Sequence, residues 1–368
     1  MQLPLIDDYY RLFVDDTPLL DVRAPIEFNQ GAFPHAQNLP LLNDEERHAI
    51  GIRYAEAGQD QAIALGQELV RDGVKDQRIQ DWYEFTQQYP NGALYCFRGG
   101  LRSKITQQWL YETTGVVYPR IEGGYKALRR FLINELETAM DDLQTLVIGG
   151  RTGVGKTLLL QRLEHQLDLE GIYRHRGSSF GYRVLPQPSQ IDIENSLAIA
   201  LLKHRNNNVH KLVLEDEAPN IGSRSVPPGI MHSMRQAPLI LIEETIENRV
   251  DAVFEEYINS ALAEFQQVHG EALGFEHWAS NLRSALDRIQ RRLGDQRHRQ
   301  LIDIMDDAIE QQRQHENRDN HKSWIRMLLQ EYYDPMYDYQ LQRKAERIVF
   351  RGDRQAVHDY LVQQHGVT

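Results

Sequence analysis

The stretch Gly150-Arg151-Thr152-Gly153-Val154-Gly155-Lys156-Thr157 constrains this 368-residue chain more than any other. It fits G-x-x-x-x-G-K-[ST], and its flanks fit too. Thr145-Leu146-Val147-Ile148 before it is an apolar, β-rich run, and residues 156–166 after it have helical spacing. Gly150, Gly153 and Gly155 let the backbone curl so that successive N–H groups face one anion. A helix start adds positive potential there. Lys156 is expected to reach terminal phosphate oxygens, and Thr157 to offer its hydroxyl to Mg2+. A carboxylate should follow on a neighbouring strand. Glu215, Asp216 and Glu217, after the apolar run 211–214, are the candidates. The pattern specifies a di- or triphosphate and does not specify ATP.

The rest of the chain sorts around that loop. Residues 18–23, 36–40 and 92–96 read as strands, and 60–71 and 103–113 as helices. Such alternation predicts a mainly parallel α/β sheet. A second α/β unit begins near Asp142, with buried-strand candidates at 145–148, 211–214 and 239–242. Residues 243–343 carry few glycines and no proline until Pro335, which predicts a helical extension; 347–350 reads as a late strand. The expected division is therefore 1–137 and 138–368, the latter including the helical region. No period of 20–50 residues repeats, which argues against a solenoid. At 41% hydrophobic and 26% charged, the composition is that of an ordinary globular protein. No run reaches the ~18–20 apolar residues of a membrane span. The N-terminus lacks the basic start of a signal peptide, so a cytoplasmic, membrane-free protein is expected.

Cys96 is the sole cysteine. One cysteine forms no intrachain disulfide and no Cys-rich metal site, and neither His35 nor His175 has a metal-like spacing partner. Neither a structural metal nor a tightly bound cofactor is expected. Cys96-Phe97-Arg98-Gly99-Gly100-Leu101-Arg102-Ser103 lies between a strand and a helix. The thiol there faces N–H groups freed by Gly99 and Gly100, a helix start at Ser103, and the guanidinium groups of Arg98 and Arg102. Each favours a thiolate, so a nucleophilic sulfur beside an anion cradle is expected. Cys-x5-Arg-Ser is the spacing of cysteine phosphatases. Sulfurtransferases of the rhodanese type carry a loop one residue shorter. The segments Asp21–Phe28, 31–40 and 122–125 resemble recurring rhodanese segments in the right order around the Cys loop. That favours a rhodanese-like domain whose longer loop takes a phosphate-bearing or otherwise larger substrate than thiosulfate.

A rhodanese-like domain followed by a P-loop NTPase-like domain resembles the bacterial tRNA 2-selenouridine synthase family. The resemblance is carried by 96–100, 149–157, 175–181, Gln187-Pro188-Ser189-Gln190, 215–217 and Tyr332-Tyr333-Asp334-Pro335-Met336-Tyr337. It departs at Ala218, where a hydroxyl side chain is expected. The resemblance implies replacement of sulfur by selenium at wobble 2-thiouridine of tRNA, with selenophosphate as donor. It also implies an S-geranylated intermediate made from geranyl diphosphate. Cys96, with Arg98 and Arg102, would hold selenophosphate or carry selenium. Lys156 and Thr157 would bind diphosphate, with Mg2+ on an acid of 215–217. His175, Arg176, Ser178 and Ser179 would contact an anion or tRNA. The competing assignment is a cysteine phosphatase or plain sulfurtransferase fused to an NTPase.

The formal charge of −12 argues against a nucleic-acid partner, but it averages unlike regions. Residues 96–130 carry a local +5 and 281–300 a local +4, whereas 1–60 hold 11 acids and 4 bases. A tRNA could follow the basic stretches.

Overall fold

The computed structural model describes residues 3–207 and 210–367, without the side chain of Asp72. The chain is α/β and divides into two units, Met1–Ala139 with Ser189–Asn208, and Met140–Pro188 with Val209–Thr368. Among the described residues, no helix is long and apolar enough to cross a membrane.

The first unit is built on a five-stranded parallel sheet. Its strands are β1 (Leu5–Ile6), β2 (Leu19–Asp21), β3 (Ala36–Asn38), β4 (Ala93–Tyr95) and β5 (Arg120–Ile121), in the order β1-β5-β4-β2-β3. β2 and β4 are buried at every position, as central strands covered on both faces must be. Leu20, Leu94, Trp82, Phe85 and Leu110 form part of the core on one face. Trp82 keeps its indole N–H satisfied by donating to the Leu39 carbonyl at 2.9 Å. The helix Asp44–Leu69 starts at an Asn43/Glu46 capping box and breaks at Gly58, whose φ of 80° only glycine adopts readily. Its two halves fold back on each other: a Cβ on Gly66 would stand 3.4 Å from Ile50 Cδ1.

The helix Gln190–Asn206 also belongs to this unit, although the sequence division at 137/138 leaves it in the second. Its apolar face, Ile193, Leu197, Ala198 and Leu201, is fully buried. Asp192 accepts from the Ala32 amide at 2.7 Å, and Asn195 donates to the Ala32 carbonyl at 2.7 Å. Arg129 donates to Asn195 at 2.9 Å. These partners lie 66 to 163 residues away, so local pattern could not reveal them.

The second unit has a four-stranded parallel sheet of β6 (Gln144–Gly149), β7 (Lys211–Glu215), β10 (Leu239–Ile242) and β11 (Ile348–Gly352), ordered β11-β10-β6-β7. A small hairpin, β8 (Asn220–Ile221) with β9 (Arg224–Ser225), stands apart. The helical run expected from 243 to 343 is inserted between β10 and β11. It packs around Trp278, Trp324, Leu282, Leu286 and Phe180. The helix after the phosphate loop is shorter than its spacing predicts, Lys156–Leu160 rather than 156–166. The cause is the sheet: Val213 donates to the His165 carbonyl and Leu167 to the Val213 carbonyl, at 2.9 and 3.1 Å. That pairing pulls 165–167 out of helix.

Candidate functional site

Each unit holds one anion-type loop. In the first, the chain leaves β4 at Tyr95, turns through Cys96–Gly100 and enters the helix Leu101–Thr114. Gly99 sits at φ 64°, and a Cβ there would meet the Gly123 amide nitrogen at 2.7 Å. Gly124, at φ 56°, lies so close to the Cys96 carbonyl that no side chain fits. Tyr125 and Lys126 donate to the carbonyls of Cys96 and Phe97 at 2.9 and 3.0 Å, and Arg120 donates to that of Gly99 at 2.7 Å. The Gly-Gly turn at 123–124 therefore clamps the Cys loop. The Cys96 thiol is buried and donates to the Ser103 hydroxyl at 3.2 Å, which itself donates to the Gly100 carbonyl at 3.1 Å.

The two loop arginines are placed differently. Arg98 is exposed. Arg102 forks onto Glu27 at 2.5 and 3.0 Å, and Arg47 reaches the same carboxylate at 3.1 Å. Burial pushes the Glu27 carboxyl up, but Arg102 and Arg47 outweigh it and hold it below the usual range. Burial likewise works against the Arg102 cation, and Glu27 reverses it, so Arg102 is a fixed positive charge. Glu27 lies in the rhodanese-like segment Asp21–Phe28, which by itself assigns it no chemistry, and it also caps its own short helix by accepting from the Ala24 amide.

In the second unit, Gly150, Gly153 and Gly155 all adopt positive φ. A Cβ on Gly150 or Gly153 would strike the carbonyl of Ile242 or Arg249 at 2.7 Å. Lys156 curls back so that its ammonium donates to the Gly150 carbonyl at 3.4 Å. Burial disfavours that charge, but Tyr337, Glu215, Glu217 and Glu170 raise its pKa above the ordinary value. Thr157 donates to Glu170 at 3.4 Å.

Three carboxylates, Glu170, Glu215 and Glu217, bring one oxygen each within 4.8 Å of one another. Burial and the Glu215 charge push Glu217 up to about 7; burial with Glu215 and Glu217 raises Glu170, and burial with Asp168 and Glu256 raises Glu215. Neither oxygen of buried Glu215 has a hydrogen-bond partner among the described residues. Three hard oxygen donors this close together, one carboxylate of them without a partner, suit a divalent cation such as Mg2+. Asp216 takes no place in this group: it alternates away from Glu215 and Glu217 and pairs with Lys344 at 2.6 and 2.8 Å. Glu170 stands in its stead. Asp168 caps the short helix Leu169–Tyr173 that carries it, a local feature that says nothing of proximity to Lys156.

The 175–181 segment closes over the acids. A Cβ on Gly177 would lie 2.8 and 2.9 Å from oxygens of Glu170 and Glu217. Phe180 anchors the segment by stacking on Tyr257 and Trp324 at 5.6 and 5.8 Å. Arg176 is buried against Glu256 and Glu264, both at 2.9 Å, so its charge is neutralised inside the protein. Ser178 bonds the Tyr257 hydroxyl at 2.7 Å, and the Ser179 carbonyl accepts from Arg288 at 2.7 Å. His175 is buried, and burial with nearby Arg288, Arg176 and Arg183 lowers it to about 4, leaving it neutral.

The Tyr332–Tyr337 motif braces the phosphate loop. Asp334 holds Arg249 at 2.6 and 3.0 Å, and Arg249 donates to the Thr152 carbonyl at 2.8 Å. Tyr332 and Tyr333 are buried in the helical core, whereas Tyr339 is exposed. In the basic stretch 281–300, Arg283 pairs with Asp306 and Arg297 with Glu331.

A family profile described as the tRNA 2-selenouridine synthase AAA domain matches residues 143–367. A tRNA 2-selenouridine synthase of Bordetella bronchiseptica is 51% identical over 354 residues, 96% of each chain. Proteins of that name from Pseudomonas fluorescens and Sulfurovum sp. are 50% and 45% identical over 98% of each chain. One solved N-terminal domain, of an ATP/GTP binding protein from Clostridium difficile 630, covers 36% of this chain and 99% of its own at 29% identity. Its TM-score of 0.30 gives that likeness no weight. Relatives at half identity over nearly the whole length, and a profile spanning the phosphate-loop half, leave one assignment: the chain belongs to the tRNA 2-selenouridine synthase family, a family of enzymes.

Proposed function

We propose that this enzyme acts on tRNA and replaces the sulfur of wobble 2-thiouridine by selenium in two steps, one at each loop. The observation that carries this is the pairing of a clamped, Arg-flanked thiol loop in one unit with a phosphate loop facing three carboxylates in the other. In the first step the 2-thio sulfur attacks C1 of geranyl diphosphate. The C1–O bond breaks, diphosphate leaves, and the uridine N3 proton is released. Lys156 and the amides of 153–157 hold the departing diphosphate. Mg2+ held by Glu170, Glu215 and Glu217 would neutralise charge on that leaving group.

The second step belongs to a rhodanese-like first unit. Selenophosphate docks in the Cys96 loop, its phosphoryl oxygens facing Arg98, Arg102 and the freed amides of Gly99 and Gly100. The Cys96 thiolate attacks phosphorus; an S–P bond forms as the Se–P bond breaks, and selenide is set free. Selenide attacks C2 of the S-geranyl base, the C–S bond breaks and geranylthiol leaves. An S-alkyl group leaves where a thiocarbonyl does not, which is the chemical reason for alkylating first. N3 regains its proton, and water then releases phosphate from Cys96. The setting proposed is the cytoplasm, with no membrane partner.

The test is mass spectrometry of wobble nucleosides in bulk tRNA from selenite-fed cells with and without this protein. The expected result is 2-selenouridine only when the protein is present. Identical nucleoside profiles would overturn the assignment in favour of a phosphatase.

A further inference from the structure

The first unit contains a cavity of about 1270 Å3, of which the Cys96 loop forms only one part. A selenophosphate anion needs a small part of it; pockets that bury a drug-sized ligand run to ~300–1,000 Å3. Its walls are mainly apolar, with Leu41, Ile50, Ile63, Val70, Ile105 and Trp109. They come largely from the two halves of the helix Asp44–Leu69, folded back at Gly58, and from the helix after the Cys loop. Ile52 and Leu101, also lining it, are 47% and 44% exposed, so apolar surface is presented to an open space. The charged lining is gathered in one place. Arg47 and Arg102 share Glu27, and Cys96 and Arg98 belong to the same loop.

Such a cavity fits a molecule with a long apolar chain ending in the group that reacts at Cys96. We infer that it is an isoprenoid site, which takes the geranyl chain of S-geranyl-2-thiouridine and so sets C2 of the base at the Cys96 loop. This rests on the geranylated route proposed above. The chain has no hydrogen-bonding atoms, and the apolar side chains make up the larger part of the wall it would lie against, with Gln59, Gln67 and Gln108 among the polar ones. When the C–S bond breaks, the geranyl group stays in the cavity as the thiol, away from the new selenium.

The experiment uses the full-length protein and two synthetic anticodon stem-loop RNAs, one with S-geranyl-2-thiouridine and one with 2-thiouridine. Wild type should bind the geranylated RNA about tenfold more tightly. Ile63→Trp, which fills the cavity, and Ile52→Asp, which charges its rim, should each abolish that preference. Affinity for the 2-thiouridine RNA should stay unchanged, which also reports that both variants fold. A wild type without preference, or a preference that persists in both variants, would overturn the inference. Adding selenophosphate separates this from the route itself. Geranyl-dependent binding without conversion to 2-selenouridine would leave the isoprenoid site standing and sink the route.

Discussion

The two loops use the same backbone device and differ in what stands opposite it. Both turn on glycines at positive φ, and both are locked by backbone atoms too close for a Cβ. Opposite the Cys96 loop stand one glutamate, two arginines fixed on it, and an oily cavity. The phosphate loop carries its own lysine, and three carboxylates held at raised pKa stand near it. The first arrangement suits an anion that reacts beside an apolar chain. The second suits an anion that arrives with a cation. Glycine geometry makes an anion site, and the facing side chains decide its chemistry.

If that contrast holds, single substitutions should separate the steps. Cys96→Ser should lower selenium incorporation on the order of 10^3-fold or more, with tRNA affinity unchanged in a filter-binding assay. Lys156→Ala should slow geranyl transfer by about 10^2-fold, measured with 2-thiouridine RNA and geranyl diphosphate. Undiminished transfer would reassign the loop to another phosphate. Asp334→Asn leaves Arg249 buried without its carboxylate and should cost about 2 kcal/mol of stability, read as a lower midpoint in denaturant. The mildest effect is one of pH. Burial and nearby charge hold Glu217 up to about 7 and Glu170 higher still, so Mg2+ affinity should rise at least tenfold between pH 6 and 8 as protons leave the site. The sign for stability is opposite. A carboxyl raised from the ordinary 4.5 to about 7 favours the fold at low pH, and that stability is lost as pH rises through 7. The metal-free thermal midpoint should therefore fall from pH 5 to 8, and Mg2+ should restore it.

Much of this was legible in the sequence where one short stretch holds the whole signal. The Gly150–Thr157 loop, Cys96 with Ser103, and the central strands near 19–21, 93–95, 144–149 and 239–242 are of that kind. Partners supplied by the tertiary fold were not. Glu27 reaches Arg102 across 75 residues, and Arg249 reaches Asp334 across 85. Glu170 joins Glu215 and Glu217 only because β7 lies beside the phosphate-loop strand. The three-acid run at 215–217 could not show that alternation sends Asp216 to Lys344. Nor could the cavity be read: its walls join the two halves of a helix folded back at Gly58 with residues of the helix Leu101–Thr114, far away in sequence.

The division of labour is tested most directly by nucleoside mass spectrometry of tRNA from selenite-fed cells that carry either Cys96→Ser or Lys156→Ala as their only copy. The account predicts S-geranyl-2-thiouridine accumulating in the first and unmodified 2-thiouridine in the second. The same nucleoside in both strains would contradict it.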